Sequence, residues 1–197
     1  FLGNHDVARF ISHAVPGVIA DQWSNGAKEV GWSNPPPLPT NPEAFSRLIA
    51  GFGFILSLPG VPLVYYGDEI GMPGAGDPDN RRMMQFDGLS AEQVRVKTAL
   101  TSLIAARADH PAMRSGTFAL LFSDAQGMAF AVSTSSDAVL TVLNMGAART
   151  IVANVTAIAA LSGASQLTDA ISGTLVPVLS GSVSVPMPAF GTMVLTP

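Results

Sequence analysis

The sequence predicts two parts: an α/β segment over residues 1–114 and an all-β sandwich or small barrel over residues 115–197. Three observations carry this. The chain opens on Phe1-Leu2-Gly3-Asn4-His5-Asp6, an apolar pair running through glycine into three adjacent polar side chains, as a strand ends at a binding rim. A second such ending, Val61-Pro62-Leu63-Val64-Tyr65-Tyr66-Gly67-Asp68-Glu69, follows a helix-forming run, which implies two parallel strands joined by a right-handed crossover. From residue 117 onward, short β-favouring runs alternate with turn residues and no helical period appears.

Composition narrows the classes. Apolar residues make up 48% and charged residues 12%, so the chain buries a great deal or expects a covering. A net charge of −4 argues against nucleic-acid and anionic-membrane partners. The absence of cysteine excludes a disulfide framework and a thiolate zinc site. It leaves the compartment open, with secretion or the periplasm expected for a longer protein. No basic leader followed by an apolar stretch is present, and the longest apolar run, residues 48–58, is too short to span a bilayer. A start inside a strand ending leads us to expect a piece of something longer.

In chain order, residues 7–40 read as a long loop with one short helix, broken by Gly17, Gly26, Gly31 and Pro35-Pro36-Pro37. Trp23 and Trp32 in it either offer indole faces on which a ligand ring stacks or pack the loop. Asn41-Pro42-Glu43 is a helix start, with a capping Asn, Pro at the first position and an acid at the positive end. That helix runs to about Leu58 and is apolar nearly all round. Residues 61–66 read as a strand buried on both faces, and 71–89 as a loop. Ser90-Ala91-Glu92-Gln93 opens the next helix with a capping box, Leu100, Leu103 and Ile104 form its apolar stripe, and His110-Pro111 ends it. The β-rich runs are 117–122, 128–133, 139–144, 150–155, 174–179, 182–185 and 192–195, with hairpin loops expected at Asp124-Ala125-Gln126-Gly127 and Asn144-Met145-Gly146.

Phe1 to Asp6 resembles the seventh-strand motif of the α-amylase family of glycoside hydrolases. Residues 59–72 resemble its eighth strand, and Asp77-Pro78-Asp79-Asn80-Arg81-Arg82-Met83-Met84 the loop after it. Pro188-Ala189-Phe190-Gly191 resembles the closing motif of the β-domain that usually follows the barrel. The resemblance implies the last two strand–helix units of a (β/α)8 TIM barrel, then a β-sandwich. It implies a longer protein that cleaves α-1,4-glucosidic bonds with retention, on an α-glucan substrate. Related transglycosylases, sucrose- or trehalose-acting enzymes and non-catalytic amylase-like ectodomains share these motifs.

The residue roles follow from the same resemblance. Asp6 matches one of three catalytic carboxylates, the one that holds ring hydroxyls and favours the distorted sugar; an oxocarbenium-like state calls for such groups. His5 matches a donor to the sugar in the cleavage subsite. Asp77 and Arg81 match sugar contacts beyond it, and they can equally form a salt bridge that holds the loop. Asn4 and Arg47 match two ligands of the chloride found in some members, and calcium is expected in the longer protein rather than here. Asp77-Pro78-Asp79-Asn80 lacks the glycine and distal glutamate of an EF-hand loop. Glu69 matches a structural residue, and the alternation of Tyr65 and Tyr66 puts at most one of them toward a barrel interior. The nucleophile and the general acid have no match, so the 197-residue chain alone is expected to be inactive.

Overall fold

A computed structural model of the chain describes residues 1–14 and 25–197. Its contacts divide it into two units, one of Phe1–Gly51 with Pro62–Thr98, the other of Phe52–Val61 with Ala99–Pro197.

The first unit is built from helices and loops. Helix α1 spans Phe10–His13 and α2 spans Asn25–Ser33, so two helices occupy a region read as a loop with one. Gly31 does not break α2. A Cβ there would lie 2.8 Å from Cβ of Asp79, so the glycine permits close approach of the helix to the later loop. Gly17 and Trp23 lie outside the described residues. Helix α3, Pro42–Ser57, starts as the sequence predicts, with the Glu43 N–H donating to Asn41 Oδ1 at 2.9 Å. Helix α4, Ala91–Asp109, opens on a reciprocal capping box. Ser90 N–H donates to Gln93 Oε1 at 3.0 Å and Gln93 N–H to Ser90 Oγ at 3.3 Å. Its buried stripe runs through Val96, Ala99, Leu100 and Leu103, whereas Ile104, expected in it, is exposed.

The two strand endings make no ladder among the described residues, where every strand lies between residues 117 and 196. A strand is defined by paired backbone groups, and residues 61–66 have no strand beside them to pair with. Their side chains show it: Val61 is 99% exposed, and Leu63 and Val64 are exposed as well. The expectation of a continuous strand buried on both faces therefore does not hold in this chain.

The second unit carries one antiparallel sheet. Its strands are β1 Thr117–Asp124, β2 Gly127–Ser133, β3 Ala138–Asn144, β4 Arg149–Asn154, β5 Gln166–Asp169, β6 Leu175–Leu179, β7 Ser182–Met187 and β8 Thr192–Thr196, in the order β1-β2-β3-β8-β5-β6-β7-β4. All seven expected runs are strands. The eighth, β5, is short and ends on a buried carboxylate, Asp169, which accepts from Val194 N–H at 2.9 Å and from the Ser172 hydroxyl at 2.6 Å. β3 is buried along its whole length, while β4 alternates, with Ile151 and Ala153 inward. Together with Leu140, Val142, Leu167, Val183, Val185 and Leu195 these form one apolar core.

The β1–β2 hairpin turns through Ala125-Gln126, with Gln126 N–H held by Asp124 Oδ1 at 2.8 Å. Asn144-Met145-Gly146 is not a hairpin loop. β3 already has β2 and β8 on its two edges, so the chain crosses to β4, which pairs with β7. Asn144 satisfies this crossing turn, donating to Ala147 O at 2.8 Å and Pro188 O at 2.9 Å. Arg149 of β4 grips Asp124 of β1, with Nη2 on Oδ1 at 2.9 Å. The end strands of the order thus meet, and the sheet curls almost closed.

Two short helices complete this unit, α5 Ala112–Ser115 and α6 Ala159–Ser162. Behind α5, buried Arg107 donates to the carbonyls of Leu56, Leu58, Gly60 and Met113. It thereby caps the negative end of α3. Burial, then the nearby Arg114 charge, pulls its pKa below the ordinary arginine value.

Candidate functional site

The first unit gathers the polar residues of both strand endings. Asn4 Oδ1 accepts the Asp6 N–H at 2.7 Å, a tight Asx turn that projects His5 and Asp6 outward. Both side chains are mostly exposed, 64% and 67%, and His5 Nε2 lies 3.4 Å from Asp6 Oδ1. Arg81 sits beside them, donating from Nε to His5 O at 3.2 Å and pairing with Asp77 Oδ1 at 2.9 Å. So His5, Asp6, Asp77 and Arg81, identified from two distant stretches, share one rim. The Asp77–Arg81 salt bridge is present, and both partners keep a solvent-facing side.

Beneath this rim is a layer that sequence reasoning missed. Arg9 is only 1% exposed. Its Nη1 bonds Asp68 Oδ1 at 3.0 Å and Tyr66 O, and its Nε donates to Asn80 O at 2.8 Å. The guanidinium carbon lies 4.2 Å from the Tyr65 ring centre and 4.7 Å from that of Tyr66. Both tyrosines therefore meet one cation, against the expectation that they face opposite ways; the chain is already turning at Tyr66. Asn80 Nδ2 returns to Val7 O at 2.8 Å and Asn4 O at 3.4 Å. Asp79 binds Arg82 through both carboxylate oxygens, at 2.8 and 2.7 Å, and also accepts Ala75 N–H. The signal available in the sequence was Arg9 itself, a lone charge within Val7-Ala8-Arg9-Phe10-Ile11, which requires a buried partner.

Gly3 is dictated by the same contact. A Cβ at position 3 would lie 2.8 Å from Asp68 Oδ2, so any other residue would push the two endings apart. Burial raises the Asp68 carboxyl to about 6, against the opposing pull of Arg9. Burial and a hydrogen bond with Tyr66 also raise the Tyr65 phenol. Glu69, read as structural, has one carboxylate oxygen buried with no hydrogen-bond partner.

Asn4 and Arg47 fit an anion site only in part. Asn4 Oδ1 is engaged by Asp6 N–H, and Arg47 is paired with Glu43 on its own helix at 2.7 Å. Among the described residues no group of three or more His, Cys, Asp or Glu could hold a metal ion. No described helix is long and apolar enough to cross a membrane.

No family model matches the chain. A β/α-amylase of Paenibacillus polymyxa is 27% identical over 187 residues, which is 94% of this chain and 13% of that protein. A cyclomaltodextrinase of Geobacillus thermopakistaniensis (strain MAS1) is 34% identical over 95 residues, 47% of this chain and 16% of that protein. The chain is thus similar in sequence to enzymes of the α-amylase family of glycoside hydrolases. The fold agrees. AmyP, solved in complex with maltotriose, superposes with a TM-score of 0.75 at 22% identity, over 99% of this chain and 40% of that one. The chain thus spans under one sixth of both of these curated relatives.

Proposed function

We propose that this chain supplies part of the sugar-binding rim of a retaining α-glucosidic enzyme, acting on α-1,4-linked oligo- and polysaccharides. The observation that carries the reading is the convergence of His5, Asp6, Asp77 and Arg81 on one rim through the Arg81–His5 contact at 3.2 Å. Asp6 is an exposed carboxylate able to bind two ring hydroxyls. His5 and Arg81 add donors, and a sugar ring presents acceptors to both. Asp6 then stabilises the flattened, positively charged sugar ring, while nucleophile and proton donor come from elsewhere in a longer protein.

In this reading residues 1–114 are the last two strand–helix units of a (β/α)8 barrel and residues 115–197 its β-domain. The exposed Val61, Leu63 and Val64 support it, because an apolar strand ending without a ladder calls for neighbours. Calcium belongs to the longer protein, and a chloride at Asn4 and Arg47 would have to draw Arg47 from Glu43. Trp32, exposed in α2, is available for sugar stacking. Secretion or a periplasmic location fits a polymeric substrate.

Proton NMR of maltooligosaccharide digests tests this. The longer protein should release products with the α-anomer first, and the 197-residue chain alone should release none. A β-anomer from the longer protein, or turnover by the isolated chain, overturns the reading. The related transfer activity is separated in the same digests by the appearance of products longer than the substrate.

A further inference from the structure

We propose that Arg9, clamped to Asp68, is a positioning residue that locks the 4–12 segment to the 66–82 loop so that His5, Asp6 and Arg81 meet the same sugar. This rests on the glycosidase reading above.

The rim residues have little to hold them. His5 and Asp6 are mostly exposed, and what joins them to Arg81 is one backbone acceptor, His5 O. The rigidity must come from below. There, buried donors cross from one segment to the other, although Arg9 Nη2 is buried without a hydrogen-bond partner. Arg9 reaches Asn80 O, Tyr66 O and Asp68 Oδ1. Asn80 answers with bonds to Val7 O and Asn4 O. The backbone adds Arg9 N–H to Gly74 O at 2.9 Å, and Gly74 N–H to Ser12 Oγ at 2.9 Å. No ladder ties these segments, so these separate bonds, most of them between a side chain and the backbone, are the tie. A guanidinium suits this task because its fixed fork serves several acceptors at once, which an ammonium cannot do.

The clamp also titrates. The charged and titratable groups facing Asp68 are Arg9 and Glu69; Arg9 in turn lies against Tyr65 and Tyr66, and Arg81 acts on Tyr65. Burial holds the Asp68 carboxyl near 6, so acidification through that range removes the anion from Arg9. The buried carboxyl becomes more comfortable when neutral, while the pair that orders the rim is lost. Fold and rim therefore respond to acid in opposite directions.

The test uses the longer protein, with Asp68→Asn, Arg9→Lys and the apolar pair Arg9→Met/Asp68→Leu. The apolar pair keeps the volume filled without leaving a lone buried charge, so a loss of activity in it is not a loss of fold. In Asp68→Asn and the apolar pair, kcat should fall on the order of a hundredfold, with KM within about threefold, because misplacement by about an ångström costs that much. The acid limb of kcat near 6 should be present in the parent enzyme and absent in Asp68→Asn. Folded variants with kcat within about twofold of the parent, or an unchanged acid limb in Asp68→Asn, overturn the proposal. If the unmodified protein turns over no α-glucan, the glycosidase reading fails, and hydrogen exchange decides the clamp separately. Peptides covering 4–12 and 66–82 should exchange as one unit and open together in Asp68→Asn; independent exchange overturns the clamp.

Discussion

The two units of this chain are ordered by different means. In the second, backbone pairs with backbone: eight strands exchange N–H and C=O groups in one continuous order, and alternate side chains fill an apolar core. In the first, the segments 4–12 and 66–82 are joined mainly by bonds between side chains and backbone. Arg9, Asn80, Asn4 and Ser12 do there what ladder partners do in the sheet. A ladder is redundant, so losing one bond leaves its neighbours in place. A node such as Arg9 is not, since removing it frees Tyr66 O, Asn80 O and Asp68 together.

The sharpest way to break this contrast is Arg9→Met alone. It leaves Asp68 buried without its cation, and we expect a loss of about 3 kcal/mol or more in urea unfolding. Hydrogen exchange should place the loss in residues 4–12 and 66–82, leaving 129–142 protected. Exchange that rises equally in the sheet would show that the units do not differ. Leu140→Ala, in the fully buried β3, should cost about 3 kcal/mol and act in the reverse sense, loosening the sheet before the loops.

The pH dependence separates the units as well. Folding raises Asp68 from an ordinary carboxylate value of 3.8 to about 6, so the folded state binds the extra proton between those values. Its contribution to stability is fully present below about 4 and is lost as pH rises through about 6, on the order of 2–3 kcal/mol. Asp124 is the opposite case: its hydrogen bond to Arg149 lowers it to about 2, so its contribution is present above about 4 and is lost toward 2. Thermal melts from pH 4 to 7 should fall with rising pH, and Asp68→Asn should flatten that slope. A slope unchanged in Asp68→Asn would remove Asp68 as its source. The smallest effect expected is Asn41→Ala, about 1 kcal/mol from the lost α3 cap, read in the same unfolding measurement.

The same contrast explains what the sequence made legible. The sheet was legible because strands announce themselves by composition and period: the runs at 117–122 and 139–144 needed no partner to be recognised. β5 escaped because four residues ending in a buried Asp169 carry no β signature. The course of the chain after Asn144 escaped because pairing depends on which edges are already taken, which is a property of the whole sheet. Helix starts at Asn41 and Ser90 were legible because a cap is a local bond. In the first unit His5, Asp6, Asp77 and Arg81 were found through motif resemblance, and the structure brings them to one rim. Arg9, Asp68 and Asn80 were not found, because their meaning lies in contacts spanning more than fifty residues of chain. The strand reading of 61–66 failed for a related reason: a β-favouring run becomes a strand only beside another strand.

The most direct measurement is the turnover of maltooligosaccharide by the longer protein carrying Asp6→Asn, with its melting temperature recorded alongside. The shape of the side chain is kept and only its charge is lost. Loss of kcat by about a thousandfold or more at an unchanged melting temperature is the expected result. Turnover within about tenfold of the parent would contradict a sugar-stabilising carboxylate at this rim.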